Sequence, residues 1–342
     1  MTAQLEVSRR DHLGIITLNR PEALNALNLE MVQAITAALA QWHDDDAIRT
    51  VLFAANGPRG FCAGGDVRAM RQLVLDGKAE EADAFFAAEY AMNGLIATYP
   101  KPTVVLSHGI VMGGGIGIAG HCRYRFTTPD AKFAMPEAAI GFVCDVGANY
   151  ILARAPLNRA LLFLMSGVTV GPADALALGL ADCVHDPLRR EAILTAVVAA
   201  AGAEQPEAAL GHLVQAEMLA GGEAAFIAAA DAYAGLDWTE AEAIIAGVAD
   251  PMLAAALGAR SPTSLTAIHA GHLAARRLAG IEAVLALELR LVQLLSRWPD
   301  FAEGVRAVLV DKDQKPAWQP AGFAGVRRAE IAAAIAPKAV PA

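Results

Sequence analysis

Charge is scarce in this chain, and what there is leans acidic. Asp, Glu, Lys and Arg make up 18% of the 342 residues, and the net charge is −9. A general nucleic-acid binder needs a basic face to displace counterions, so that class is excluded. Cysteine is sparse as well. Cys62, Cys122, Cys144 and Cys183 form no Cys-x-x-Cys pair and no metal spacing, which reads as free thiols in a reducing compartment. No apolar run is suited to a bilayer, because the longest uncharged stretch, roughly 104–120, is broken by repeated glycines, Ser107 and His108. The opening residues have neither a basic-then-apolar signal pattern nor an Arg-rich transit pattern, so the expected location is the cytoplasm. Also missing are Gly-x-Ser-x-Gly, His-Glu-x-x-His, Walker and complete Gly-x-Gly-x-x-Gly patterns.

Apolar residues supply 55% of the chain, which excludes global disorder and permits a large core. Much of that share is alanine, a sign of abundant helix. Short apolar runs (Leu13–Leu18, Val51–Ala55, Val104–Leu106) alternate with helical stripes over the first two hundred residues. One stripe is Leu24, Leu27, Met31, Ile35, Leu39 and Trp42; a second helix covers about 80–98. The alternation predicts an α/β fold with right-handed crossovers. Asp145 stands before Val146 as an ordinary cap for a helix over 146–155, and Asp186-Pro187 opens another toward Ala201. Beyond Gly202 the pattern reads as helices at roughly 204–219, 222–233, 238–247, 251–258, 262–279 and 281–297. The expected division is a catalytic core over 1–203 and a C-terminal helical region over 204–342.

Two glycine-rich turns carry the chemistry. Phe61–Asp66 reads Phe-Cys-Ala-Gly-Gly-Asp, and Gly109–Gly117 contains the triplet Gly113, Gly114 and Gly115. Each follows a strand-like run and leads into helix-like sequence, where backbone N–H groups are left unpaired and sterically bare. Gly65 and Gly114 are the candidates for an oxyanion hole, in which two preplaced donors stabilise a carbonyl oxygen that gains negative charge. A single such turn would only permit tight packing; the pair, followed by acids, points to function. Arg59, Arg68 and Arg71 offer a local patch for a phosphate despite the acidic balance.

Glu137 follows Pro136 after the extended Phe133–Met135. It is either a general base or nucleophile, or an exposed first-turn glutamate favoured by the helix dipole. Asp145 is either that helix cap or a group that accepts a hydrogen bond from a substrate hydroxyl or attacking water. The apolar loop between them, Ala138–Cys144, folds both acids over one pocket if it folds back. Glu89 shares the stripe of Phe85, Met92 and Ile96, so it falls on the buried side of its helix, where a carboxylate needs a partner or a wet cavity. It is a candidate substrate contact, a structural ion-pair member or a residue at the surface edge of that helix. His108 and His121 lack a nucleophile at motif spacing and read as structural; Cys62 and Cys144 read as small packing residues.

These residues together resemble the crotonase (enoyl-CoA hydratase/isomerase) superfamily. Leu18–Asn28 is similar to its first signature, Phe61–Asp66 to its second, and the glycine triplet to its third. The resemblance implies a spiral of β-β-α units and a coenzyme A thioester whose carbonyl lies between the amides of Gly65 and Gly114. Adenine and pantetheine contacts would map near Ala26, Ala63 and Asp66, mostly through backbone. Hydratases of the superfamily carry two catalytic glutamates. The second falls on Glu137, whereas the first falls on Gly117. Cys144-Asp145-Val146-Gly147 resembles the 3-hydroxyisobutyryl-CoA hydrolase branch, whose usual form has proline where Cys144 stands. Ser261–Leu265, Asp300–Gln314 and Pro316–Trp318 resemble the same branch. The implied activity is therefore acyl-CoA thioester hydrolysis in valine catabolism, with hydration or isomerisation of another acyl-CoA as the alternative. The resemblance implies no metal and no cofactor beyond the coenzyme A of the substrate, and no nucleic-acid or membrane partner. Whether the chain forms a homo-oligomer is left open: relatives often form trimers, and the helical tail is an alternative cover for that surface.

Overall fold

The computed structural model describes residues 4–336. In chain order the strands are β1 (Leu5–Arg10), β2 (Leu13–Leu18), β3 (Thr50–Ala55), β4 (Gly60–Cys62), β5 (Thr103–Leu106), β6 (Ile110–Met112), β7 (Tyr124–Thr127), β8 (Lys132–Ala134) and β9 (Cys183–Val184). They form two sheets, ordered β1-β2-β3-β5-β7-β9 and β4-β6-β8. Every pairing between two of these strands is parallel except the β1–β2 hairpin. β3 and β5 are buried at every position, as parallel strands covered on both faces must be. Successive turns of the chain place one strand in the large sheet, the next in the small sheet, and then enter helix: β3-β4, β5-β6 and β7-β8 all follow this rule. This is the expected α/β spiral of β-β-α units.

Packing divides the chain into two units, a division by contact rather than by position along the sequence. The first comprises the chain up to Asp66, Ala88–Ala134 and Thr169–Ala228. It holds both sheets. Its core joins Leu13, Leu52, Val104, Leu106, Phe126 and Cys183 of the large sheet to Ile193, Val197 and Ala201 of the helix Arg190–Gly202 and to Leu210 and Val214 of the helix Pro206–Glu217. Burial of each large aliphatic or aromatic side chain here contributes on the order of 2 kcal/mol.

The second unit comprises Val67–Ala87, Met135–Val168 and the chain from Ala229 onward. Its centre is the helix Pro262–Ala275, which is buried along most of its length and packs against Ile281–Leu295, Leu157–Ser166 and Arg328–Ile335. Ser261 caps that helix by accepting from Ser264 N at 3.1 Å, and its hydroxyl also donates to Asp300. Gly141 has φ +67, and a Cβ there would collide with the Asp300 carbonyl. Rings continue the contact: Phe142 lies 4.8 Å from Phe301 and 5.5 Å from Phe86 between centroids. Among the described residues no helix is long and apolar enough to cross a membrane.

Local boundaries depart from expectation for definable reasons. The first long helix is Leu29–His43, started by Asn28, whose side chain accepts from Met31 N at 2.9 Å. Leu24 and Leu27 therefore precede the helix that their spacing predicts, and Leu24 sits in the left-handed region at φ +54. The helix expected over 146–155 is only Ala148–Leu152, with Gly147 rather than Asp145 at its cap. Asp186 does cap, accepting from Leu188 N at 2.9 Å, but it first opens the 3₁₀ turn Pro187–Arg189. The helix expected to reach 279 ends at Ala275.

Candidate active site

Gly64 takes φ +111 and Gly113 φ +49, so each turn reverses where an L side chain is disfavoured. That reversal brings the two turns together: a Cβ built on Gly114 would stand 3.3 Å from Gly65 N. Among the described residues, no backbone carbonyl accepts from Gly65 N or Gly114 N. Both amides are thus available at neighbouring positions, as an oxyanion hole requires. The same Cβ would collide with Glu89 Oε1, which places the Glu89 carboxylate against Gly114. Glu89 is buried at 2% exposure on the helix Ala79–Ala97, as its place in the apolar stripe implied. Burial pushes the Cys62 thiol up to about 12; a hydrogen bond with Gly64 opposes this and the Glu89 charge adds to it. Cys62 stays a neutral packing group.

Ala26, Ala63 and Asp66 gather in the same unit. Arg20 ties two of them: its guanidinium donates to Ala26 O at 3.1 Å and pairs with Asp66 Oδ2 at 3.1 Å. Ala63 N donates to Leu24 O at 3.0 Å. Asn25, fully buried, accepts from Arg20 N at 2.8 Å and donates to Asn56 O at 3.0 Å, fixing the left-handed turn at Leu24 and Asn25. Arg20 and Asn25 stand inside the first signature, yet their roles become visible only in space.

The expected phosphate patch does not present bare guanidinium groups. Arg59 donates to Pro21 O and Glu22 O, Arg68 to Leu309 O, and Arg71 to Ala302 O at 2.7 Å. His108 Nε2 lies 2.8 Å from Gly57 O, consistent with a structural histidine.

In the second unit, Glu137 begins the 3₁₀ turn Glu137–Ile140, with Pro136 at its cap. It is 7% exposed, which corrects the reading of a solvated first-turn glutamate. Asp145 is 5% exposed and is not the cap of the following helix, which corrects its ordinary reading too. The loop between them folds back on one thiol. Cys144 Sγ donates to Leu164 O at 3.4 Å and lies in the fields of Glu137, Asp145 and Glu288; burial first, and these charges after it, push its thiol well above its ordinary value. It stays protonated and inert as a nucleophile.

The loop then takes a strained step. Val146 has φ +53, a conformation that costs a β-branched residue about 1–3 kcal/mol. Glu288 holds it there: Oε2 accepts from Gly147 N at 2.7 Å, and Oε1 accepts from Asn149 Nδ2 at 2.8 Å. Asn149 in turn is bonded to His272 Nδ1 at 3.0 Å. Sequence reasoning missed all three residues. Glu288 carried a legible signal, since it falls among Val284, Leu285, Leu291 and Val292 on the apolar face of its helix, as Glu89 does on its own.

The sequence profile of the enoyl-CoA hydratase/isomerase family matches residues 13–335. The chain belongs to that family. Among curated relatives, 3-hydroxyisobutyryl-CoA hydrolase, mitochondrial, of Homo sapiens is 34% identical over 93% of this chain and 84% of its own. 3-hydroxyisobutyryl-CoA hydrolase 1 of Arabidopsis thaliana is also 34% identical, over 93% of this chain and 87% of its own. Among solved structures, a carnitinyl-CoA dehydratase from Mycobacterium thermoresistibile is 34% identical, with a TM-score of 0.88 over 98% of this chain and 97% of its own. An enoyl-CoA hydratase from Rhodobacter sphaeroides gives the same identity, TM-score and coverage. The names divide between thioester hydrolysis and addition or loss of water. Within the enoyl-CoA hydratase/isomerase fold, what this chain's helix Gly114–Ala119 carries bears on the choice: it reads Gly-Gly-Ile-Gly-Ile-Ala and contains no acid.

Proposed function

We propose that the protein is an acyl-CoA thioesterase that hydrolyses 3-hydroxyisobutyryl-CoA to 3-hydroxyisobutyrate and free coenzyme A, in valine degradation. The observation that carries this reading is the unequal distribution of acids. Gly117 stands where a hydratase of the superfamily would place its first glutamate, while Glu137 and Asp145 share one buried loop. Adding water across a double bond normally uses both glutamates; cleaving a thioester needs one carboxylate and a stabilised oxyanion. The names of the curated relatives support the same choice of substrate.

In this reading the thioester oxygen accepts from Gly65 N–H and Gly114 N–H as the carbonyl carbon becomes tetrahedral. Glu137 either attacks that carbon, releasing the thiol and leaving a mixed anhydride that water opens, or takes a proton from the water that attacks directly. Asp145 and Glu89 accept hydrogen bonds from the substrate hydroxyl or the water. Ala26 and Ala63, through backbone, and Asp66 hold the coenzyme. The chemistry calls on no metal and no redox group. The four buried thiols suit a reducing compartment, and we place the protein in the cytoplasm.

The test is release of free coenzyme A, read with a thiol reagent across a panel of short 3-hydroxyacyl-CoA esters. Preference for the 3-hydroxyisobutyryl ester is the expected result. The names of the two 34%-identical structures favour a second reading, hydration or dehydration. Loss of enoyl absorbance from crotonyl-CoA without thiol release would establish it instead. Binding of the esters with no turnover would sink both.

A further inference from the structure

We propose that Glu288 is a positioning residue for Asp145, acting through Gly147 and Asn149 to hold the loop 144–147 in its strained form. This rests on the reading that Asp145 takes part in the reaction, and it extends that reading to a residue 143 positions away in the sequence, the difference between 288 and 145.

The geometry is specific. Both carboxylate oxygens of Glu288 are turned to one short segment: Oε2 to Gly147 N at 2.7 Å, Oε1 to Asn149 Nδ2 at 2.8 Å and, more weakly, to Asn149 N at 3.4 Å. Asn149 Nδ2 also donates to Cys144 O at 3.2 Å. The residue before Asp145 and the second residue after it are therefore tied to Asn149 and to Glu288 respectively, two side chains bonded to each other. Between them Val146 is held at φ +53, which a free loop would relax. Because Asn149 Nδ2 is a donor, its Oδ1 is the acceptor, and His272 must present Nδ1–H to it at 3.0 Å. His272 is fully buried and held neutral by that burial, which pushes it down to about 3. The imidazole fixes the amide, and the amide and carboxylate fix the loop.

Burial raises Glu288 to about 8, opposed by its bonds from Asn149 and Gly147 and reinforced by the Asp145 charge. Charge, when present, is unfavourable here except for the donors that meet it. A buried apolar side chain would fill the space at lower cost, but could not accept from Gly147 N.

Glu288→Gln is isosteric and replaces one acceptor oxygen with a donor that must face an N–H. The expected result is a fall in kcat for thiol release of about tenfold to a hundredfold, with KM changed less than about threefold, as for a displaced group near the chemistry. Glu288→Asp, which keeps two acceptors, should recover part of the loss. The decisive measurement is a cycle with Asp145→Asn. Positioning predicts that the double variant is no slower than Asp145→Asn alone; losses that multiply would overturn the proposal. Wild-type kcat and KM in Glu288→Gln would overturn it as well. Should the enzyme turn over none of the esters, the functional reading fails first, and hydrogen exchange still decides the contact. The Gly147 amide should exchange slowly in the wild type and faster in Glu288→Gln relative to the amides of β3. Equal protection in both proteins would refute it. If Glu288→Gln does not fold, Glu288→Asp supplies the same cycle and the same amide readout.

Discussion

Glu89 Oε1 fills the space that a side chain on Gly114 would need. Substitution there should separate catalysis from folding. Gly114 has no left-handed φ, and the atom its Cβ would meet is the end of a flexible side chain, so the protein can accommodate alanine by moving Glu89. The methyl group would nevertheless stand 3.3 Å from Gly65 N, in the space a substrate oxygen requires. The variant keeps its own N–H, but the methyl blocks access to the paired amides, so Gly114→Ala should lose about a hundredfold or more in kcat, as much as the loss of one oxyanion donor costs, while its melting temperature stays near that of the wild type. At Gly115 the obstacle is the Cys62 backbone carbonyl, which cannot swing aside. Gly115→Ala should lose stability as well as activity. Thermal melts beside thiol-release kinetics check both; full activity in Gly114→Ala would show that no reacting oxygen uses the space beside Gly65 N.

Glu137→Gln keeps the shape of the side chain and removes both nucleophile and base. Turnover should fall by about 10²–10⁴-fold, with ester binding retained within a few-fold by calorimetry. Normal turnover would exclude Glu137 from the reaction. A burst of one equivalent of thiol from the wild type would favour the anhydride route, since it requires an intermediate that outlives thiol release.

Much of this site could be read before any coordinates. The paired glycine turns, the buried Glu89 and the Glu137–Asp145 loop each left a local trace: glycine where φ is positive, a carboxylate in an apolar stripe, acids flanking an apolar run. Other parts left none. β4 and β6 are three residues each, too short to show a period of two, and they merged with the turns beside them, whereas β8, equally short, showed only as an extended run. Leu24 continued a helical spacing by coincidence, because helical periodicity does not reveal that Asn25 clamps the preceding turn. Asp145 looked like a cap because the residue type and position suit one; the strain at Val146 moves the cap to Gly147. The link from Gly147 to Glu288 spans separate helices, and only packing creates it.

The C-terminal signature has a physical reason that Gly141 makes testable. Its φ of +67 excludes most side chains, and a Cβ would strike the Asp300 carbonyl. Asp300 is itself held by Ser261 and accepts from Gln319 N at 2.6 Å. The segments around Ser261 and Asp300 thus brace the turn that carries Glu137. Gly141→Ala should destabilise the protein by more than about 2 kcal/mol, combining backbone strain with overpacking. Chemical denaturation measures this directly, and a change within about 0.5 kcal/mol would show that the turn can move independently of Asp300.

The pH dependence of stability should bear the signatures of Glu288 and His272 with opposite signs. Burial raises Glu288 from 4.5 to about 8, so between those values the folded protein keeps a proton that the unfolded chain has lost. Its contribution therefore makes stability fall as pH rises through that window, and the full penalty stands above it. His272 is lowered from 6.5 to about 3, so the unfolded chain takes up its proton first as pH falls. Its contribution to stability is complete above 6.5 and is lost as pH drops toward 3. Glu288→Gln abolishes the first slope and leaves the second. Relative to the wild type, the variant should gain stability steadily as pH rises from about 5 to about 8, whatever its deficit at the acid end. Melting temperatures of both proteins across that range test the assignment, and a constant difference between them would mean that Glu288 is charged throughout.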